Sequence, residues 1–172
     1  MKIYHLLPIV FSILVFFVSG QSKEENLSMQ WPIEYNWKVV SQVNDSTKTS
    51  TMIIPGKDKI ETASIIGSVA AYIGIKYPNM DEIIKHYKEA LDSGSVLTEV
   101  ERNSKAKYSW VMFKVETPVT TKYSEPESDL YYIVQGRYAL YENYVAIKKP
   151  NLSADFIAEW MKVFKTAKIT LE

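Results

Sequence analysis

The chain contains no cysteine among its 172 residues and two histidines, His5 and His86. Without cysteine it has no disulfide framework, and a lipid anchor attached to a cysteine behind a leader peptide is excluded. Zinc sites draw on histidine and cysteine, so we predict no metal site. Gly67 and Gly74 fit no phosphate-binding pattern, and no cofactor is predicted.

Arginine is also scarce, and neither sign of charge predominates. Lys and Arg total 20, Asp and Glu total 20, and only Arg102 and Arg137 are arginine. A nucleic-acid-binding protein needs a basic stripe to neutralise phosphates, and arginine is the side chain suited to planar phosphate recognition. We therefore predict no nucleic-acid partner.

The chain does have an apolar N-terminal segment. Lys2 precedes a mostly apolar run from Leu6 to Val18, and Gly20 follows. This order is typical of a secretory signal peptide, and the run is shorter than the ~20 apolar residues of a transmembrane helix. We predict cleavage after Gly20 and export, without a stable membrane anchor, to the periplasm or extracellular space. The lack of disulfides favours a bacterial source.

The remaining chain is predicted to hold a mobile leader and one domain. Residues 21–28 are polar and without periodicity, which is typical of a mobile leader. Residues 29–172 have the length of a single domain with its own core.

Apolar periodicity predicts mostly strands. Tyr35 to Val43 and Thr49 to Ile54 form a predicted hairpin, and Asn79 and Gly94 bound a predicted helix. Further strands are predicted at 96–102, 107–116 and 130–147, and the last of these is expected to bend between Gly136 and Asn143. A polar connection is predicted at 124–128, and a final helix is predicted after Ser153.

The stretch from Ile60 to Ile75 is ambiguous. Its small apolar residues suit a buried helix, whereas its β-branched residues and two glycines favour a strand over Ser64 to Ile73. We favour the strand. The predicted fold class is then α+β, an antiparallel sheet with one mid-chain helix and a C-terminal helix packed on it.

No catalytic residue is predicted. His86 lies on the flank of the mid-chain helix, where an imidazole is usually solvated. Glu99 and Glu101 alternate on one strand and would share a face, which is the arrangement of a carboxylate pair but also of an ordinary wet strand face. Glu125, Glu127 and Asp129 lack the glycine turn of a calcium loop and are interpreted as a solvated acidic loop.

Aromatic residues are abundant instead, with twelve tyrosines and four tryptophans. Tyr131, Ile133, Gln135 and Arg137 are expected on one strand face, opposite the core face of Leu130, Tyr132, Val134 and Gly136, and Tyr131, Gln135 and Arg137 are the predicted binding residues. An aromatic ring, an amide and an arginine together are typical of a binding surface. The alternative is a helix-covered sheet whose tyrosines keep their hydroxyls at its rim.

The order of hairpin, strand, helix, strands and a terminal helix with Phe156-Ile157-Ala158-Glu159-Trp160 resembles the Mog1/PsbP-like fold. The closing stretch from Tyr132 to Trp160 is similar to small exported bacterial proteins of that architecture. The resemblance implies a non-enzymatic accessory or binding role.

The predicted function is thus a soluble exported binding or accessory protein, with a protein or peptide partner favoured over a small molecule. Two alternatives remain open. One is a periplasmic immunity or inhibitor protein directed against a toxin. The other is a hydrolase with a carboxylate-based site built on Glu99, Glu101 or His86.

Overall fold

The computed structural model describes residues 18–19, 25–119 and 124–171. Short 3-10 turns occupy Ile33–Tyr35 and Ile60–Thr62. The helices and strands of the described ranges are β1 (Val18–Ser19), β2 (Glu25–Ser28), β3 (Lys38–Asn44), β4 (Lys48–Ile54), β5 (Ile66–Ile73), α1 (Met80–Glu89), β6 (Val96–Asn103), β7 (Trp110–Thr117), β8 (Glu127–Gln135), β9 (Ala139–Ile147), α2 (Ala154–Phe164) and β10 (Lys168–Leu171).

A large antiparallel sheet organises the molecule. Within the described residues its strand order is β3-β4-β5-β9-β8-β7-β6, and a small sheet has the order β1-β2-β10. Helix α1 packs on one face of the large sheet and α2 on the other. The predicted α+β fold is confirmed.

Both faces of the large sheet carry an apolar core. On the α1 face, Met80, Ile83 and Ile84 of the helix pack on strands β7 to β9. On the α2 face, Trp160 and Phe164 pack among aromatic and aliphatic side chains of the strands. The central strands are therefore buried on both sides.

The predicted hairpin and strand are confirmed. Strands β3 and β4 pair across a turn in which the Asp45 carboxylate accepts the backbone N–H groups of Thr47 and Lys48, at 2.7 and 2.8 Å. Residues 66–73 form β5, so the strand interpretation of the ambiguous stretch is correct. Its continuous apolar run reflects its central position, where both faces are covered.

Side-chain caps start both helices as the sequence predicts. Asn79 Oδ1 accepts the backbone N–H of Glu82 at 3.0 Å, and Ser153 Oγ accepts that of Phe156 at 3.2 Å. The predicted stop at Gly94 is wrong, because α1 ends at Glu89. Gly94 has a φ of 89° and lies in the turn before β6.

The long strand predicted over 130–147 is two strands, and the turn between them lies near the start of the interval from Gly136 to Asn143 in which a bend was predicted. Strand β8 ends at Gln135 and β9 begins at Ala139. The polar connection predicted at 124–128 is wrong at its end, because Glu127 and Ser128 already belong to β8 and Ser128 is fully buried.

The prediction of a mobile leader is wrong for residues 25–28, which form β2. Glu25 and Leu27 are each only 1% exposed, and β2 pairs with β10, a strand that the sequence analysis missed. The Glu25 carboxylate accepts the backbone N–H groups of Arg137 and Tyr138 in the β8–β9 turn. Residues 21–24 lie outside the described ranges, as does the predicted signal peptide apart from Val18–Ser19. No helix in the described ranges has the length and apolar character to cross a membrane.

Candidate functional site

The three residues predicted as a binding face do not form one surface. Tyr131 is half-buried and its ring stacks on that of Phe113, with the centroids 5.0 Å apart. Gln135 has a structural role, since its side chain accepts the Tyr77 backbone N–H at 3.0 Å and donates to the Ile75 carbonyl at 3.3 Å.

Arg137 lies beyond the end of β8, exposed in the turn, with its guanidinium 5.3 Å from the Tyr138 ring. The predicted face fails because α1 covers this side of the sheet, so that Ile133 is fully buried there. Leu130, Tyr132, Val134 and Gly136 are buried on the other face, as predicted. An alternation of residues along one strand does not reveal a helix that packs on its outer side.

The predicted carboxylate pair is also separated. A β-bulge at Val100 places Glu99 opposite Phe113 and Glu101 opposite Met112, so the two glutamates point to opposite faces. Glu99 is bound by the guanidinium of Arg102 on the α1 face, and Glu101 accepts Lys165 Nζ at 2.8 Å on the α2 face.

His86 is exposed on α1, as predicted. Its ring centroid lies 5.5 Å from that of Tyr77 and 5.8 Å from that of Tyr87. The carboxylates of Glu99 and Glu101 are engaged elsewhere. The three residues of the hydrolase alternative thus do not converge on one site.

A different site lies where the C-terminal half of α1 meets β7 and the start of β8. We call it the acidic cavity, and its volume is about 330 Å³. The side chains that define it are those of Tyr87, Leu91, Val115, Glu127, Asp129 and Tyr131. No Lys or Arg lines it among the residues that the structure describes.

Asp129 is the central group of the acidic cavity. The residue is 8% exposed, and in the described part of the chain its carboxylate accepts no hydrogen bond and forms no ion pair. Burial, followed by the negative charges of Glu127 and Glu142, raises the pKa of Asp129 to about 7. A buried carboxylate is ordinarily paired with a cation or hydrogen-bonded, so Asp129 is an exception that requires a reason.

Two tyrosine rings form the aromatic wall of the acidic cavity. The centroids of Tyr87 and Tyr131 are 5.6 Å apart, and burial raises the pKa of both hydroxyls. The Tyr87 hydroxyl donates to the Glu142 carboxylate, which also accepts the Tyr72 hydroxyl at 3.1 Å. The hydrogen bond to Glu142 therefore fixes the position of the Tyr87 ring.

Tyr87 also separates the acidic cavity from a neighbouring one. The second cavity, about 320 Å³, is lined by Tyr72, Tyr77, His86, Tyr87 and Glu142. Its carboxylate is already bound by two phenols. The Asp129 carboxylate, in contrast, has no hydrogen-bond or ion-pair partner among the described residues.

Sequence reasoning noticed Asp129 but assigned it to a solvated loop. The signal that it missed is the alternation Glu127, Asp129, Tyr131 and Ile133, which continues the strand pattern backward from the apolar run. Extending β8 by that pattern places Asp129 inside the sheet.

Comparison with known proteins assigns no family. No family model matches the chain, and no curated protein matches it. A crystal structure of a Bacteroides thetaiotaomicron protein aligns with 86% of this chain at 14% identity and a TM-score of 0.47. The chain spans about half of that protein, 48% of its length.

Proposed function

We propose that this chain is an exported, non-enzymatic binding protein whose acidic cavity receives a positively charged side chain of a peptide or protein partner. The observation that carries the proposal is Asp129, a buried carboxylate without a counter-charge in the described residues. The export part rests on the signal-peptide pattern of residues 1–20.

A cation in the acidic cavity would relieve an electrostatic cost of the unliganded protein. Removing a carboxylate from water without a partner is expensive, and the negative charge of Glu127 adds to that cost. An ammonium or guanidinium group would pair with Asp129. Relief of the cost of burying an unpaired Asp129 carboxylate would then contribute favourably to the binding free energy.

The remaining walls suit the rest of a basic side chain. Tyr87 and Tyr131 present aromatic rings, which attract cations through the ring quadrupole. Leu91 and Val115 offer apolar surface to a methylene stem. A lysine or arginine side chain combines a cationic head with such a stem, which favours a peptide or protein partner over an inorganic cation.

Peptide display tests the proposal without knowledge of the natural partner. Random heptapeptides on phage are selected against the processed wild-type protein, against Asp129→Asn, and against a matched control, Asp155→Asn, which changes an exposed aspartate of α2. We expect lysine or arginine to be enriched on the wild type and the control, with enrichment lost on Asp129→Asn. Equal enrichment on all three proteins would contradict the assignment of the cavity.

A second candidate function rests on the same carboxylate. Glu127 and Asp129 lie two residues apart on one face of β8, about 6.8 Å along the strand, and the raised pKa of Asp129 suits a general acid. This would be a carboxylate-based hydrolase with a different pair from the predicted one. Hydrolysis of nitrophenyl glycosides that is lost in both Asp129→Asn and Glu127→Gln would favour it over binding.

A further inference from the structure

A third cavity lies on the opposite face of the large sheet, the face that α2 covers. It is bounded by the C-terminal end of α2, the turn between β6 and β7, and the small sheet, and its volume is about 270 Å³. We call it the basic cavity, and its defining side chains are Leu27, Lys107, Tyr108, Trp110, Tyr132 and Lys165. No Asp or Glu lines it among the described residues.

Tyr132 lies at the inner wall of the basic cavity and carries a polar hydroxyl group. The residue is 5% exposed, with its ring stacked on Phe164 and 5.6 Å from the Trp110 centroid. Its hydroxyl makes no hydrogen bond within the part of the chain that the structure describes. Burial raises the pKa of this hydroxyl, so it stays protonated and is a donor without an acceptor.

Two lysines bring positive charge to the same cavity. Lys165 is bound to Glu101, and its Nζ lies 6.0 Å from the Trp110 ring. Lys107 has its Nζ 5.1 Å from the Tyr108 ring and forms no ion pair in the described residues. The cavity therefore has one uncompensated cation.

We infer that the basic cavity is a second binding site, for a compact aromatic carboxylate. The carboxylate would accept the Tyr132 hydroxyl and pair with Lys107, because both are donors without an acceptor of their own. The ring would lie against Trp110 and Tyr108, whose faces form the aromatic wall. The inference is independent of the proposed function, since the two cavities share no residue and lie on opposite faces of the sheet.

Titration with two probes of one ring system tests the inference. The probes are 2-naphthoate and the neutral 2-naphthylmethanol, added to the processed protein while the indole N–H resonances of the tryptophans are followed by NMR. We expect 2-naphthoate to bind about tenfold more tightly than the alcohol, because a charged acceptor gains more from these donors. The Trp110 resonance should move most.

Two variants locate the site, and a third is the control. Lys107→Gln and Tyr132→Phe should each weaken 2-naphthoate binding by about three- to tenfold with little effect on the alcohol. Lys162→Gln, which removes an exposed lysine of α2 outside the cavity, should leave both affinities unchanged. Thermal unfolding of each variant confirms that it is folded.

Three results would overturn the inference. The first is an absence of 2-naphthoate binding at millimolar concentration. The second is equal affinity for the two probes. The third is 2-naphthoate binding that neither Lys107→Gln nor Tyr132→Phe weakens in a folded protein.

Discussion

Asp129 shows how one buried side chain can make the stability of the fold depend on pH. Its carboxyl group has a reference pKa of 3.8, and the folded protein raises the pKa to about 7. The folded state therefore binds the proton more tightly than the unfolded state. Stability from this group is fully present below about pH 4 and is lost as the pH rises toward 7.

We predict that Asp129→Asn removes this dependence. At pH 8 the variant should be more stable than the wild type by up to about 4 kcal/mol, because it buries no charge. Near pH 4 the two proteins should have similar stabilities. Urea unfolding at both pH values measures the difference. If the stability difference between the variant and the wild type is the same at pH 8 and at pH 4, burial of Asp129 does not oppose its ionisation.

Gly136 is a second residue whose environment dictates its identity. A Cβ built there would contact the Glu25 carboxylate and would lie 2.8 Å from Tyr141 Cε2 and 2.9 Å from the Ala139 carbonyl oxygen. The carbonyl belongs to the backbone and has little freedom to move. The glycine leaves room for the carboxylate that caps the β8–β9 turn.

We therefore predict that Gly136→Ala destabilises the protein by about 1–3 kcal/mol through overpacking. Gly74→Ala is the comparison, because a Cβ at Gly74 meets nothing within 4 Å and the φ of 77° adds only backbone strain. Chemical unfolding of both variants gives the free energies. A smaller loss for Gly136→Ala than for Gly74→Ala would refute the steric argument.

At the scale of elements, α2 depends on Trp160. The side chain is fully buried, and its ring centroid lies 5.5 Å from that of Trp31 and 6.0 Å from that of Phe164. We predict that Trp160→Ala lowers the free energy of unfolding by about 3–5 kcal/mol. Glu159→Ala, on the exposed side of the same helix, should change it by less than about 0.5 kcal/mol. A loss below about 1 kcal/mol for Trp160→Ala would mean that the helix docks loosely.

The elements that the sequence predicted are those with local signals. The β3–β4 hairpin has its turn at Asp45, and α1 and α2 have their caps at Asn79 and Ser153. Strands β2 and β10 lack such a signal, because each is short and is defined by pairing with the other across the chain. The acidic cavity was missed for a related reason, since it requires α1 and β8 to meet.

Both edges of the large sheet carry an irregularity. The register shifts between Val39 and Ser41 in β3 and between Glu99 and Glu101 in β6. A bulge in an edge strand hinders pairing with another chain. At the scale of the whole molecule, both edges of the large sheet are thus protected against the addition of a strand from another chain.

Processing by a signal peptidase is the prediction for the whole chain. Protein recovered from an exporting host should begin at or near Gln21, because the pattern of residues 1–20 predicts cleavage after Gly20. Intact mass measurement of the purified protein checks this. Recovery of the chain from the membrane fraction with Met1 to Gly20 retained would reverse the predicted localisation.

The pairing of β2 with β10 has a consequence for synthesis. Ser28 lies opposite Lys168, 140 residues later, so the small sheet joins the two ends of the domain. In a chain that grows at roughly 5–20 residues per second, β2 cannot pair with β10 until β10 has left the ribosome. Until then Leu27 cannot be fully buried, and the domain cannot complete its folding. Such a delay would keep the nascent chain unfolded. The proposed export through a translocation channel would require an unfolded polypeptide.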